Sequence, residues 1–368
     1  METPKQNLSP SEQPLEPTIV ISEKTDADQE AEENILAALP LKPQGRYKFI
    51  RSIGFGGMKG VLLVHDYDTC RDIAMAIMPD FRERPQSDLC RFVREAQITA
   101  KLEHPNIVSV HDIGIDASGS PFFTMTYLRG STLAVILRKL QKKDESVAKY
   151  TRHRLLQILM RVCNAVGFAH SQGICHLDLK PGNVHVGDFG DVQVIDWGLA
   201  AATDADFSSG SLKGTPGYIA PEVITSGGKH RPDKAADIYA LGAILYSILT
   251  LDSPFASLPP QEVLQRTVRG ELIPPCQLDP QIPSALEAIC LKAMALDPAE
   301  RYQSAKEMRN EITAALSDFP TQAENPSLLR RSVLFVRRHL HTLIIGFLTL
   351  MVLALAYLVW TYRTILEM

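Results

Sequence analysis

The sequence predicts an α+β fold followed by a membrane-spanning helix. Three observations carry that prediction. Five short strand-like runs surround one amphipathic helix between residues 45 and 128, a mostly helical stretch runs from Ser131 to Leu316, and residues Thr342 to Tyr362 form an uncharged run of 21 residues. The 368-residue chain is 45% hydrophobic and 22% charged, with a net charge of −4, which are ordinary globular values. Collagen-like, coiled-coil and wholly disordered chains are thereby excluded, and the absence of a basic excess argues against a nucleic-acid partner. Six scattered cysteines (70, 90, 163, 175, 276 and 290) form no C-x-x-C pair, so neither a zinc site nor a disulfide framework is expected, and a reducing compartment fits.

Residues 1–44 are expected to form a disordered acidic arm. Within its first 34 residues there are nine acids, two lysines, four prolines and no aromatic residue, too little apolar surface to offset chain entropy. The folded part is expected over 45–316. Alternation predicts strands at Tyr47–Ile53, Val61–Asp66 and Asp72–Met78. Leu89, Phe92, Val93, Ile98 and Leu102 give an apolar stripe to a helix over Ser87–Leu102, which also carries Glu95. HPNIVSVHDIG and SPFFTMTYL supply two further strands.

After a basic juxtamembrane segment, 317–341, comes the span at 342–362. At ~1.5 Å rise per residue it covers about 31 Å, the thickness of a bilayer's hydrocarbon core. Tyr357, Trp360 and Tyr362 cluster at its far end, as interfacial rings do. Arg330, Arg331, Arg337 and Arg338 precede it and only Arg363 follows, so the positive-inside rule puts the folded domain in the cytoplasm, on the inner face of a cell membrane. The tail at 363–368 is expected to be too short for an outer sensor domain.

The chemistry lies in the ordered motifs of the folded part. Gly54-Phe55-Gly56-Gly57-Met58-Lys59-Gly60-Val61 is a glycine-rich hairpin whose backbone N–H groups could approach phosphate oxygens, a weak signal alone. The strong signal is His176-Leu177-Asp178-Leu179-Lys180-Pro181-Gly182-Asn183, with Asp196-Trp197-Gly198 beginning 13 residues after the asparagine. Gly214-Thr215-Pro216-Gly217-Tyr218, Ala220-Pro221-Glu222, Asp237 and Gly242 in DIYALG, and Arg301 in ALDPAERY follow in order. This series resembles the protein kinases, especially the bacterial Ser/Thr kinases of eukaryotic type, over Gly45 to Leu316.

The resemblance implies a two-lobed kinase fold: a small lobe and hinge over 45–128, with a five-stranded antiparallel sheet and one main helix, and a mainly helical large lobe over 129–316. It implies ATP and Mg²⁺ (Mn²⁺ as an alternative) between the lobes. By the same resemblance Asp178 would accept the substrate hydroxyl proton, Lys180 would steady the transferring group, and Asn183 and Asp196 would hold the metal. Ile53, Gly54, Gly56, Gly57, Val61, Ala74 and His185 would enclose the nucleotide, with Met125 as gatekeeper and Thr126, Tyr127 and Leu128 as hinge. Glu222 and Arg301 would form a buried pair, Asp237 would brace the catalytic loop, and His176 would pack against Trp197. Lys180 within D-L-K-P is the Ser/Thr pattern.

Three departures matter. Where the family has V-A-I-K this chain has Ile73-Ala74-Met75-Ala76, so the phosphate-gripping lysine is missing. A lysine stands instead at position 59, two residues before Val61, and alternation puts both side chains on one face. This swap resembles the with-no-lysine kinases, and Glu95 is the expected partner of Lys59. No other lysine lies between residues 49 and 100. Leu177 replaces the usual arginine, so activity is not expected to depend on activation-loop phosphate in the usual way, although Ser208, Ser209, Ser211 and Thr215 could carry one. The expected activity is phosphoryl transfer to protein Ser or Thr at the cytoplasmic membrane face. The expected partners are protein substrates and membrane lipid, with a homodimer compatible. A nucleotide-binding pseudokinase scaffold is the alternative.

Overall fold

The structure is a computed structural model and describes residues 19–20, 39–40, 42, 45–55, 59–79, 81, 84–116, 118–202, 212–229, 231, 233–324 and 328–366. The small lobe is one antiparallel sheet and one helix. Strands β1 (Tyr47–Phe55), β2 (Gly60–Asp66), β3 (Arg71–Ile77), β4 (Val110–Ile115) and β5 (Pro121–Met125) lie in the order β1-β2-β3-β5-β4. The hairpin register sets Val61 opposite Ala76 and Leu63 opposite Ala74. Helix α1 (Gln86–Lys101) turns Leu89, Phe92 and Ala96 onto the sheet, where they pack with Ala76 and Phe123. Glu95 lies on that same buried face, an unusual place for a carboxylate unless it is paired.

The large lobe is built around α5. Helices α2 (Leu133–Gln141), α3 (Arg152–Ser171), α4 (Pro221–Thr225) and α5 (Lys234–Thr250) are followed by α6 (Pro260–Arg269), α7 (Pro275–Leu278), α8 (Ser284–Ala293) and α9 (Ala305–Leu316). Helix α5 is buried from Ala236 to Leu249 without a break, as expected of a helix apolar on every face. Gly242 lets α8 approach closely, since a Cβ there would stand 2.8 Å from that of Ala293. Thr151 caps α3 by accepting from Arg154 N at 3.3 Å, and Asp233 caps α5 by accepting from Ala235 N at 3.0 Å.

Two parts of the arm differ from the disordered expectation. Ile115 N donates to Pro40 O and Lys42 N to Ile115 O, both at 3.1 Å, and the Lys42 ammonium lies 2.8 Å from Asp112. Pro40 and Lys42 therefore satisfy both backbone groups of Ile115 at the sheet's open edge, β4. Residues Ile19–Val20 form a short arm strand, antiparallel to Lys213–Gly214. Composition alone could not foresee either contact, because both partners lie far along the chain.

Helix α10 (Leu328–Arg338) leads into α11 (Leu340–Leu366), longer at each end than the span expected at 342–362. Within α11, Ile344–Thr364 has a mean hydropathy of 2.3 and none of it is buried against the protein. Among the described residues it is the one helix long and apolar enough to cross a membrane. The Arg338 guanidinium lies 4.1 Å from the Phe319 ring centroid, and Leu334 is buried, so α10 is tied to the chain leaving the large lobe.

Candidate active site

The loop 176–183 is held from below by one carboxylate. Asp237, in the first turn of α5, accepts from the backbone N–H of His176 at 2.8 Å and of Leu177 at 2.9 Å, and from His170 Nε2 at 2.8 Å. Burial opposes the Asp237 charge, but the His170 hydrogen bond and the surrounding donors outweigh it and hold the carboxyl below its usual range. These bonds fix Leu177 at φ +64°, a left-handed conformation that leucine rarely adopts. The His176 ring packs against Trp197 with centroids 4.5 Å apart, the contact expected there.

Asp178 is the hub. Its Oδ1 accepts from Thr215 Oγ1 at 2.9 Å, its Oδ2 lies 3.3 Å from Lys180 Nζ, and Asn183 Nδ2 donates to its backbone oxygen at 2.9 Å and to Oδ2 at 3.3 Å. Lys180 Nζ in turn donates to Thr215 Oγ1 at 2.8 Å. Burial pushes the Asp178 carboxyl up, with Lys180 opposing and Asp196 adding to the rise. A carboxylate so placed is a better proton acceptor than one in water. Thr215, named above as a residue that could carry a phosphate, is only 6% exposed and its hydroxyl is engaged on both sides. The signal for its real place was its position just before Tyr218 and the Ala220-Pro221-Glu222 segment. Ser208, Ser209 and Ser211, and likewise Gly56 and Gly57, lie outside the described residues.

Lys59 reaches the same cleft from the glycine-rich hairpin. Its ammonium contacts the Glu95 carboxylate and lies 2.7 Å from Asp196 Oδ1. Its side chain is 20% exposed and that of Glu95 9%. Burial pulls the ammonium toward neutrality, yet Asp196 and Glu95 outweigh it and raise its pKa above the ordinary lysine value. Burial lifts the Glu95 carboxyl, whereas Asp196, although burial acts on it too, is held down by the Lys59 charge. Ala76 is fully buried in an apolar cluster with Leu89, Phe92 and Phe123. Val61, the first residue after Gly60, stands opposite Ala76 in the register.

Several of the residues expected at the nucleotide lie on paired strands. Gly54 pairs with Val61, Ile53 precedes Gly54 on β1, and Ala74 pairs with Met125. Thr126 N donates to Ser109 O at 3.0 Å, and Arg51 ties the Tyr127 hydroxyl at 2.9 Å, so both flank the passage from β5 to Leu128 and the large lobe. His185 pairs with Thr132 and Gln193 in a three-stranded sheet, and burial lowers its pKa, favouring the neutral ring. Its Nδ1 is buried without a hydrogen-bond partner among the described residues.

Away from the cleft, Arg301 grips Glu222 in a fork, Nη1 to Oε1 at 2.8 Å and Nη2 to Oε2 at 2.7 Å, and donates further to the carbonyls of Ala295, Ala235 and Leu296. Its side chain is fully buried. Arg301→Ala strips Glu222 of its partner, and a broken buried pair costs about 3–5 kcal/mol. The expected result is a melting temperature lower by roughly 6–20 °C in a thermal scan.

A protein kinase domain matches residues 47–312, well over half of the 368-residue chain. The chain belongs to the protein kinase family. It is 35% identical over 301 residues to a serine/threonine-protein kinase, PknD, of Chlamydia pneumoniae, covering 75% of this chain and 31% of that one. It is 36% identical over 285 residues to PknB of Mycobacterium leprae, covering 76% and 44%, and 34% identical over 298 residues to PknB of Mycobacterium tuberculosis, covering 77% and 46%. The chain thus spans from about a third to under a half of the length of these relatives.

The family implies ATP and a divalent cation, and the donor set fits both. Asn183 spends its amide N–H groups on Asp178, which leaves its carbonyl oxygen as ligand, and Asp196 has its second oxygen besides the one on Lys59. Two hard oxygen donors of this kind suit Mg²⁺. The Lys59 ammonium and the backbone of the hairpin suit phosphate oxygens.

Proposed function

We propose that the chain is a membrane-anchored serine/threonine protein kinase in which Lys59 takes the place of the absent strand lysine. The observation that carries the reading is the Lys59 ammonium, held between Glu95 and Asp196 although it comes from the glycine-rich hairpin instead of β3. Phosphoryl transfer is mainly positioning and charge neutralisation, so a cation at that point serves from either strand. Glu95 aims Lys59 at the phosphates, Asp178 takes the proton of the acceptor hydroxyl, and Lys180 steadies the transferring group. Asn183 and Asp196 hold the cation, taken as Mg²⁺, which when bound offsets phosphate charge.

Helix α11 supplies the anchor, and the arginines before it favour a cytoplasmic domain. Confinement at the membrane raises the effective concentration toward substrates on the same face. The test is transfer of labelled phosphate from ATP with Mg²⁺ to dephosphorylated casein by the full chain in detergent. Labelled casein is the expected result. ATP binding without any transfer would instead make the chain a pseudokinase scaffold.

A further inference from the structure

Helix α10 sets an uncharged side against a group of arginines. Its 11 residues, LLRRSVLFVRR, hold four arginines and no acid, and no Asp or Glu stands anywhere between Glu324 and Glu367. The chain as a whole carries −4, so positive charge is concentrated here against the average. Leu334 is buried, whereas Val333, Phe335 and Val336 beside it are exposed by 50%, 51% and 47%. Positions 330, 331, 337 and 338 stand three or four residues from Leu334 and so share its side of the helix. The positions left over, Ser332, Val333, Phe335 and Val336 among them, carry no charge.

Contacts on two sides fix where this helix sits. On the side of Leu334 and Arg338 it meets the protein, with Arg338 over the Phe319 ring. The chain just after Phe319 is bound to the large lobe in turn: Glu311 of α9 accepts from the backbone N–H of Gln322 at 3.1 Å and of Ala323 at 2.9 Å, and Ser284 of α8 donates to Glu324 at 2.7 Å. At its other end, α11 starts at Leu340, two residues after Arg338, and its apolar stretch starts at Ile344. Four residues of helix rise about 6 Å, within the depth of one headgroup layer, about 5–8 Å. The end of α10 is therefore held at the headgroups, with exposed apolar side chains and arginines at the same level.

We propose that α10 lies on the membrane surface and takes anionic lipid headgroups: Val333, Phe335 and Val336 enter the boundary between headgroups and acyl chains, and the arginines, Arg331 foremost, pair with lipid phosphates. This rests on the membrane-anchored reading above and names the surface by which the anchored chain meets its lipid. A guanidinium matches two phosphate oxygens at once, and its long stem lets it reach them from beside the helix. Four arginines directly before a span are the charge that an anionic leaflet attracts. A second copy of α10 fits this surface worse, because pairing would bring two sets of four arginines together with no acid to offset them. Since the chain between α9 and α10 is bound to α8 and α9, the contact also turns a fixed face of the large lobe toward the bilayer.

The experiment uses the full chain in vesicles of phosphatidylcholine with about 30% phosphatidylglycerol, read by tryptophan emission with the phosphatidylcholine brominated near the headgroup end of its acyl chains. The chain has two tryptophans; Trp197 is buried in the domain and Trp360 lies in the span, so quenching in the parent reports the span. In Phe335→Trp with Trp360→Phe, the reporter at position 335 is expected to lose about half of its emission. Replacing the phosphatidylglycerol by phosphatidylcholine should restore about half of that loss. Adding Val333→Glu and Val336→Glu should abolish the reporter's quenching, while the same pair in the chain that keeps Trp360 leaves Trp360 quenched. A quenched Trp360 with an unquenched reporter overturns the inference and leaves the anchor. So does reporter quenching that is equal without phosphatidylglycerol or that survives the glutamate pair. A reporter untouched by bromine but shielded as chains per vesicle increase gives this face to a second copy, which overturns it too. An unquenched Trp360 removes the anchor and the inference with it.

Discussion

Asp178→Asn should reduce phosphoryl transfer by about 10²–10⁴-fold while the domain still folds and still binds ATP. The side chain keeps its shape and its place between Thr215, Lys180 and Asn183. What it loses is basicity, since an amide cannot take the hydroxyl proton. With Asp178 in the role proposed above, on the acceptor and not on the nucleotide, the loss should fall on kcat and leave KM for ATP little changed. Steady-state kinetics beside a thermal scan checks both parts. A variant that melts with the parent yet loses turnover is the expected result, and a variant that keeps turnover would remove Asp178 from the chemistry.

Lys59→Met should cost about 10²–10³-fold, the usual effect of deleting one preorganised charge donor from a phosphate or oxyanion site. Methionine keeps the length and apolar stem of the side chain but leaves Glu95 and Asp196 facing each other without the cation between them. Both carboxyls then titrate at higher pH, because the positive charge that favours their ionised forms is gone. Loss of affinity for ATP should accompany loss of rate, in contrast to Asp178→Asn. That contrast, one variant acting on nucleotide and acceptor chemistry together and the other on the acceptor alone, separates the two roles in a single set of rate curves.

Much of this site was legible in the sequence because its parts are local. The loop 176–183 and Asp196-Trp197-Gly198 are short fixed spacings, and strand alternation alone was the ground for expecting Lys59 and Val61 on one face. Partners joined across the fold were harder to see. Glu222 and Arg301 could be paired only through the family resemblance, and nothing local to Thr215 shows that it bridges Lys180 to Asp178. His170 was overlooked because a histidine near the end of α3 looks like any other until α5 brings Asp237 against it. The arm strand escaped for a related reason: acidic composition argues against a core, but a two-residue strand needs only an edge to pair with.

The most direct test of the relocated lysine is a double-mutant cycle on Lys59→Met and Glu95→Gln, read as casein phosphorylation by the full chain. If Glu95 works by aiming Lys59, the two losses overlap, and adding Glu95→Gln to Lys59→Met should cost less than about threefold more. Losses that multiply in full, or a Lys59→Met variant as active as the parent, would contradict the account.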